Sequence, residues 1–268
     1  MSQYTLEAGT GQHIGDRTEQ QDRVALFSAP KAPGYLLAVV ADGMGGLSGG
    51  AMAAEQAMRT AQQVFEHFSP LTEQVETMLE TIAREADTII KLSAMSSKKK
   101  PHSTLVLLVI TPERQAIWTH VGDSRLYYFD GPNCAKRTID HTYLEQLKAE
   151  NKLDKVKAED PSLANMLVNV LGGRPEQFKL SIQRRDGLKV GDAFLLCSDG
   201  LWQYFSDAEL GAAIAMNSAR NACEMLINKA RERAVGSKAD NCTLAIIKLV
   251  KPVAETKNYT AKKMRRAV

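Results

Sequence analysis

The stretch LLAVVADGMGG, residues 36–46, joins an unbroken apolar run to an acid and a glycine-rich turn. Six consecutive apolar residues are typical of a strand that is buried on both faces. The run stops at Asp42, so the strand carries a carboxylate at its end. A second stretch, AFLLCSDG at residues 193–200, repeats this pattern and places Asp199 at the end of another buried strand.

Two further strand ends carry an aspartate. A mostly apolar run at residues 116–121 breaks at Asp123, and Asp240 lies just before the apolar stretch 243–247. Carboxylates that lie close together repel one another strongly unless a cation lies between them. Metal ions that prefer oxygen ligands are the cations that suit such a cluster. The four strand ends therefore predict a metalloenzyme.

The composition is that of a folded domain. With 268 residues, 44% of them hydrophobic, the chain can bury a sizeable core, and we expect one domain over residues 1–250. The four cysteines have no CxxC spacing, which favours free thiols in a reducing, cytoplasmic compartment. The first residues lack a charged region followed by an apolar one, and no window approaches about 18 consecutive apolar residues. We expect neither a classical secretion signal nor a membrane span.

Residues 251–268 differ in charge from the rest of the chain. They hold six Lys and Arg against one Glu, whereas the other residues hold 28 basic and 30 acidic side chains, a formal charge of −2. Such a basic tail suits nucleic acid, an acidic partner or a membrane surface. A solvated, disordered end is the commoner meaning of this composition, so we predict a disordered tail and no specific nucleic-acid binding.

The apolar periodicity predicts groups of strands that alternate with pairs of helices. The predicted order is strands over 5–41, helices over 49–90, strands over 104–139, a polar helical stretch over 141–173 with a loop around 154–161, strands at 178–184 and 193–198, helices over 207–233 and a last strand at 243–249. Short links between neighbouring strands favour antiparallel hairpins. The pattern predicts an α/β (α+β) fold, a four-layer α-β-β-α sandwich of two mainly antiparallel sheets flanked by helix pairs.

A glycine-rich turn and an arginine complete the candidate site. The glycines after Asp42 let the backbone approach an ion closely, so Gly43 is placed to lend its carbonyl oxygen. Arg17 lies five residues before Asp22, and a guanidinium grips two oxygens of a tetrahedral oxyanion at once. Taken alone, each feature also fits a structural turn or a surface charge. A P-loop is excluded because no Gly-Lys-Ser/Thr follows, and Met44 stands where a haloacid-dehalogenase-type phosphotransferase needs a second Asp.

Together the motifs resemble those of the PPM (PP2C-type) family of metal-dependent serine/threonine protein phosphatases, particularly its compact bacterial members. The likeness covers about residues 5–249. Each motif is weak alone, but five in the right order are a specific signal. The motifs are Arg-x-x-Asn-Glu/Gln-Asp at 17–22, Asp-Gly-Met-Gly-Gly at 42–46, Gly-Asp-Ser-Arg at 122–125, Ser-Asp-Gly-Leu-Trp/Thr at 198–202 and Asp-Asn-x-Thr at 240–243.

The resemblance implies a role for each acid at a strand end. Asp42 resembles the carboxylate that bridges two Mn²⁺ or Mg²⁺ ions, and Gly43 resembles the carbonyl ligand of one of them. Asp199 and Asp240 resemble ligands of the other ion. Asp123 resembles the ligand of a third, more weakly bound ion.

Other residues are implied to bind phosphate and to support the ligands. Arg17 is similar to the family's phosphate clamp and Asp22 to an acid that orients the attacking water, with Gln21 and Asn241 also behind the ligands. Two divalent ions lower the pKa of a bridging water and hold the phosphoryl group in line, so no nucleophilic side chain is needed. The implied activity is hydrolysis of phosphoserine and phosphothreonine in proteins by attack of that metal-bridging water.

Three departures from the family pattern bear on the chemistry. Gln20 and the neutral Gln21 replace the usual Asn and Glu, which predicts weaker binding of the second ion. Met44 replaces the His of the eukaryotic Asp-Gly-His form, so another group, such as a metal-bound water near Asp123, must protonate the leaving serine oxygen. Residues 102–104, His-Ser-Thr, replace the usual Gly-Thr-Thr, and the sequence assigns no chemistry to that change. The five histidines show no zinc-helix spacing, and we interpret them as structural or surface residues.

The segment from about 141 to 173 matches the family's flap, where we expect substrate contacts and selectivity. The leading interpretation is a monomeric phosphatase that acts on phosphoproteins and opposes a Ser/Thr kinase. Two alternatives remain open: a switch phosphatase for a single regulatory protein, and a non-catalytic PPM-like module that binds partners. The retained charges of Asp42, Asp199, Asp240 and Arg17 argue against the non-catalytic module.

Overall fold

The computed structural model describes residues 4–46, 49–95, 100–152, 166–174, 178–236 and 238–252. Within these ranges the chain forms two antiparallel sheets stacked face to face, with helices on each outer face, as the sequence predicts. The strands are β1 Thr5–His13, β2 Asp22–Ala29, β3 Ala32–Met44, β4 His102–Ser103, β5 Leu105–Ile110, β6 Gln115–Val121, β7 Arg125–Asp130, β8 Asn133–Arg137, β9 Gln183–Asp186, β10 Asp192–Cys197 and β11 Cys242–Val250. The helices are α1 Gly49–His67, α2 Val75–Met95, α3 Tyr143–Ala149, α4 Asp199–Trp202, α5 Asp207–Met216 and α6 Ala219–Arg233.

The order of strands brings distant parts of the chain together. One sheet has the order β1-β11-β10-β7-β8, and the other has the order β2-β3-β5-β6-β9, with the short β4 paired to β3. β1 and β11 pair along their whole length, from Thr5 opposite Val250 to His13 opposite Cys242. The first and last described strands therefore form one continuous ladder.

β3 explains why the decisive stretch of sequence is apolar at every position. Successive side chains of a strand point to opposite faces of the sheet. Leu37 and Val39 accordingly pack under α1 and α2, whereas Ala38 and Val40 pack in the layer between the two sheets. All four are fully buried. Burial of each larger side chain stabilises the fold by about 1.5–3 kcal/mol.

A close contact between two glycines sets α1 against the end of β3. A Cβ atom on Gly43 would lie 2.1 Å from the carbonyl oxygen of Gly50, in the first turn of α1. Real Cβ atoms do not approach a backbone oxygen so closely, so any larger residue at position 43 would push the helix away from the strand. The buried face of α1 continues this close packing with Ala54, Ala57 and Ala61.

The structure differs from the predicted elements in three places. Residues 178–182 lie outside the β9 ladder, which begins at Gln183; their alternating apolar side chains pack against the core under α1 and α2 without a paired strand. Two short elements, β4 and α4, were not predicted. The loop predicted around 154–161 and the tail from 253 onward lie outside the described residues. In the part of the chain that the structure describes, no helix has both the length and the apolar character to span a bilayer.

Candidate active site

The sheet register places the first two acids side by side. Asp22 opens β2 and lies directly opposite Asp42 near the end of β3. The backbone of Asp42 is held from the other side by Thr104: the Asp42 N–H donates to Thr104 Oγ1 at 2.9 Å, and the Thr104 N–H donates to the Asp42 carbonyl at 2.8 Å. Ser103 Oγ donates to the same carbonyl at 3.1 Å. Residues 103 and 104, to which the sequence assigned no chemistry, therefore fix the central acid.

Asp199 lies at the first position of α4, where β10 and β11 meet. The preceding Ser198 is fully buried, and its hydroxyl donates to Asp22 Oδ2 at 2.8 Å and accepts from the Thr243 N–H at 3.1 Å. Ser198 thereby joins the buried Asp22 of one sheet to the strand ends of the other. A Cβ on Gly200 would lie 2.0 Å from the carbonyl oxygen of Asn241, so only glycine allows this close approach.

Asn241 holds the loop that carries Arg17. Its buried carboxamide donates to the carbonyl oxygens of Ile14 at 2.8 Å and Glu19 at 3.1 Å, and it accepts from the Gln21 N–H at 2.7 Å. The predicted supporting position of Asn241 thus has a geometric basis: it shapes the backbone before β2. The Gln21 side chain, in contrast, turns to Glu19, with Nε2 donating to Oε2 at 3.1 Å.

Arg17 lies at the mouth of the site. Its guanidinium is 2.5 Å from Asp240 Oδ2, although the two residues are 223 positions apart. The Arg17 side chain is 58% exposed, so most of the guanidinium can still meet a ligand from solvent. An arginine placed beside an acid cluster offers an anion the bidentate contact that a phosphate group needs.

Asp123 is attached to the α4 side of the site through its backbone. The Trp202 indole N–H, at the end of α4, donates to the Asp123 carbonyl at 2.9 Å. The Arg125 guanidinium lies over the Trp202 ring, 3.4 Å from its centroid, and makes two hydrogen bonds with the Asp140 carboxylate at 2.8 and 2.7 Å. Arg125 belongs to the Gly-Asp-Ser-Arg motif, but only the structure shows that Trp202 and Asp140 are its partners.

The acids raise one another's pKa values. Burial, followed by the charges of Asp22 and Asp199, raises the pKa of Asp42 well above its ordinary value. Burial, followed by the charges of Asp123 and Asp240, raises the pKa of Asp199 to about 7. The pKa of Asp22 is raised to about 6, and burial is the largest cause of this shift. Burial and, after it, repulsion between neighbouring carboxylates thus raise these pKa values, and such repulsion is what the sequence predicts for carboxylates that lie close together.

Charge and donor chemistry fit divalent metal ions. The four carboxylates and the Gly43 carbonyl are all oxygen donors, which Mg²⁺ and Mn²⁺ prefer. Across the described ranges, no three acidic, His or Cys side chains already surround one point as the ligands of a metal do.

These groups open into a cleft of about 1210 Å³. The acids form one side of the cleft, and residues from the segment predicted as the flap form the other. Residues of both sides that line the cleft are Arg17, Asp42, Asp123, Asp199, Asp240, Thr142, Leu144, Lys148, Leu167 and Arg174. The structure thus brings together all four acids at strand ends, and Asp22 supports them from behind.

Two stacked sheets that carry an acidic, oxygen-only cluster beside an arginine define a metal-dependent hydrolase of phosphate esters. The family described as Protein phosphatase 2C matches residues 9–234, and the chain belongs to that family. The family inferred from the motifs is confirmed, as is the prediction of a metal-dependent protein-serine/threonine phosphatase.

Named relatives agree with this membership. Protein phosphatase PhpP of Streptococcus pneumoniae is 28% identical over 245 residues, which cover 89% of this chain and 95% of PhpP. The serine/threonine phosphatase of S. agalactiae has a solved structure that covers 92% of this chain with all of its own, at a TM-score of 0.80 and 26% identity. The catalytic domain of the phosphatase PstP, solved with two manganese ions, shares the fold at a TM-score of 0.72 and 21% identity, covering 92% of this chain and all of its own.

Proposed function

We propose that Asp42, Gly43, Asp199 and Asp240 bind two Mn²⁺ or Mg²⁺ ions, that Asp123 binds a third ion more weakly, and that the loaded site hydrolyses phosphoserine and phosphothreonine in proteins. The observation that carries this proposal is the convergence of Asp42, Asp123, Asp199 and Asp240 on one cleft beside Arg17. The pKa of Asp42, which burial and then the neighbouring carboxylates raise, supports it. Membership of the phosphatase family supports phosphoproteins as substrates.

Each residue then has a task of its own. Bound divalent ions would supply an activated water and would neutralise charge on the phosphoryl group. Arg17, exposed beside Asp240, grips two phosphoryl oxygens and turns the phosphorus toward the acids. Asp22, buried behind Asp42, orients the water through its carboxylate, and Ser198 holds that carboxylate in place at 2.8 Å. Asn241 keeps the backbone that carries Arg17 and Gln21 in position.

The remaining proposals concern the surroundings of the site. We place a single domain over residues 1–250, with selectivity in the flap segment at 141–173 and a basic tail at 251–268. A partner Ser/Thr kinase and a monomeric state complete this proposal. The free state of all four cysteines supports a reducing, cytoplasmic compartment.

Metal-dependent turnover of a phosphothreonine peptide tests the proposal. Activity is expected with Mn²⁺ or Mg²⁺ and is expected to vanish in excess EDTA, because every proposed ligand is a hard oxygen donor. Calorimetric titration of the EDTA-treated protein with Mn²⁺ gives the number of ions independently of activity, with two tight sites expected. Full turnover in chelator, activity with Zn²⁺ alone, or no tight Mn²⁺ binding would contradict the proposal.

A further inference from the structure

The two residues of β4 pair with the end of the strand that carries Asp42. Ser103 lies opposite Gly43, and His102 lies opposite Met44. Residues directly opposite in an antiparallel pair share a face of the sheet, with Cβ atoms about 4.5–5.5 Å apart. Asp42 and Met44, two positions apart on one strand, also share a face. The register therefore puts His102 on the face of the sheet that carries Asp42, and His102, Met44 and Asp42 all line the cleft.

The backbone around His102 is held firmly against the site. The next residue, Ser103, exchanges two hydrogen bonds with Leu171, at 3.2 and 2.9 Å, and donates through Oγ to the Asp42 carbonyl. Thr104 bonds the backbone of Asp42 in both directions. The half-buried imidazole of His102 thus projects from a short strand that is fixed on both sides, and its distance from Asp42 is set by backbone pairing.

Hydrolysis of a serine or threonine phosphate needs a proton for the oxygen that leaves. An alkoxide is a poor leaving group, and a positioned acid accelerates such a departure by about 10²–10⁴-fold. Among the described residues that line the cleft, His102 is the only histidine. The other two histidines near the site, His120 and His141, stack on each other with centroids 4.4 Å apart, and neither lines the cleft.

We propose that His102 is the general acid of the reaction, an inference that rests on the proposed function. As water attacks phosphorus, the bond between phosphorus and the seryl or threonyl Oγ breaks, and its electron pair stays on Oγ. The protonated imidazole of His102 gives its proton to that Oγ, which leaves as a neutral alcohol. The attacking water loses one proton to solvent and stays on phosphorus, so the products are the hydroxyl side chain and inorganic phosphate, and solvent returns a proton to His102.

Two substrates with different leaving groups test this role. p-Nitrophenolate is a stable anion that leaves without a proton, whereas a threonine side chain does not. In the Mn²⁺-loaded His102→Gln variant, kcat on a phosphothreonine peptide is expected to fall about 100-fold, and kcat on p-nitrophenyl phosphate is expected to change less than about threefold. His67→Gln, a change at an exposed histidine at the end of α1, is the matched control and should alter neither substrate.

A second variant separates catalysis from structure. Met44 lies opposite His102, so adding Met44→His to the His102→Gln protein puts an imidazole back on the same face. The double variant is expected to hydrolyse the phosphothreonine peptide at least tenfold faster than His102→Gln. Melting temperatures and Mn²⁺ titrations of each variant show whether the fold and the ion site are intact.

The outcomes distinguish a failure of the general-acid role of His102 from a failure of the proposed function. If the wild-type enzyme hydrolyses neither substrate, the proposed function fails. If the wild-type enzyme hydrolyses both, and His102→Gln leaves the peptide rate unchanged or lowers both rates equally, then His102 is not the general acid. If His102→Gln lowers the peptide rate alone and Met44→His recovers it, His102 donates the proton.

Discussion

The two sides of the cleft are built in different ways. One side, here called the floor, consists of Asp42, Asp199 and Asp240 at strand ends, with the buried Asp22 behind them. The hydrogen bond from Ser198 to Asp22 joins the two sheets, and the bonds of Asp42 with Thr104 and of Thr243 with Ser198 hold the strand ends within each sheet. The other side, the flap wall, consists of residues 141–152 and 166–174. Backbone bridges join it to the rest of the protein, together with a few side-chain contacts such as that of Asn169 with the Lys179 carbonyl and that of Asp87 with the Gly172 N–H. Two of the backbone bridges are the His141 N–H with the Gly122 carbonyl at 2.9 Å and the Ser103–Leu171 bridge.

This difference separates the residues proposed for the chemistry from the residues that border the substrate's path into the cleft. A catalytic group must be held to a fraction of an ångström, and paired strands provide that precision. A wall fixed at a few points can change its side chains without disturbing the acids. The two sides still touch at Arg125, which stacks on Trp202 and grips Asp140 just before the wall begins. Changes in the floor should therefore affect turnover itself, and changes nearer this junction should have smaller effects.

Breaking the floor should have the largest effect. Asp42→Asn is expected to lower kcat at least a thousandfold, about 4 kcal/mol in activation free energy, because it removes the carboxylate charge that we propose attracts both ions. The melting temperature of the metal-free protein should not fall, since the change also removes a carboxylate that its neighbours repel. Steady-state kinetics and calorimetry on one preparation measure both effects.

Asp186→Asn, at an exposed acid on β9, is the matched control and should leave kcat unchanged. A kcat for Asp42→Asn within tenfold of that of the wild-type enzyme would show that the floor is not the catalytic centre.

The junction between floor and flap wall should give an intermediate effect. Asp123→Ala is expected to lower kcat more than tenfold, about 1.4 kcal/mol or more, while the two tight ions still bind in a calorimetric titration. The anchor from Trp202 uses the backbone carbonyl of residue 123, so this substitution leaves that contact in place. An enzyme that melts earlier but turns over normally would instead assign Asp123 to the turn between β6 and β7.

The pH dependence of stability should give the smallest effect and isolates one acid of the floor. Asp199 has an ordinary pKa of 3.8 that is raised to about 7 in the fold. Folding therefore favours its protonated form, and that stabilisation is present below about pH 4 and is lost as the pH rises through 7. In EDTA, the melting temperature of Asp199→Asn minus that of the wild-type protein should grow between pH 5 and 8.

Screening by water limits the change to about 2 kcal/mol, or roughly 4–8 °C for a domain of this size. The subtraction cancels the buried histidines, whose lowered pKa values act in the opposite sense. A difference in melting temperature that stays constant with pH would mean that burial and the neighbouring charges do not raise the pKa of Asp199.

The sequence predicts the floor well because its signals are local. An apolar run that ends in Asp is visible within ten residues, and the structure brings the four acids at strand ends to one cleft, as predicted. The layers could also be predicted, since buried strands and amphipathic helices each have their own period. Residues 178–182 show the limit of that signal: their alternation reflects burial against the helices rather than pairing in a sheet.

The supports of the floor could not be predicted, because they join residues far apart in the sequence. Thr104 bonds Asp42 across 62 positions, and Trp202 bonds the Asp123 backbone across 79. Arg17 meets Asp240 across 223. No pattern of spacing in a single sequence records such partners. The same holds for His102, whose importance depends on which residue lies opposite it in the register.

The ladder between β1 and β11 also decides when the enzyme can begin to work. Asp240, Asn241 and β11 are the last described parts of the site to leave the ribosome, and without them Arg17 lacks its partner and its loop lacks its anchor. Contacts between residues so far apart in the sequence form late in folding, because the long chain between them must first lose conformational entropy. A growing polypeptide that already carries Asp42 and Asp123 is therefore expected not to hydrolyse phosphoproteins until β11, the last described strand, has joined the sheet.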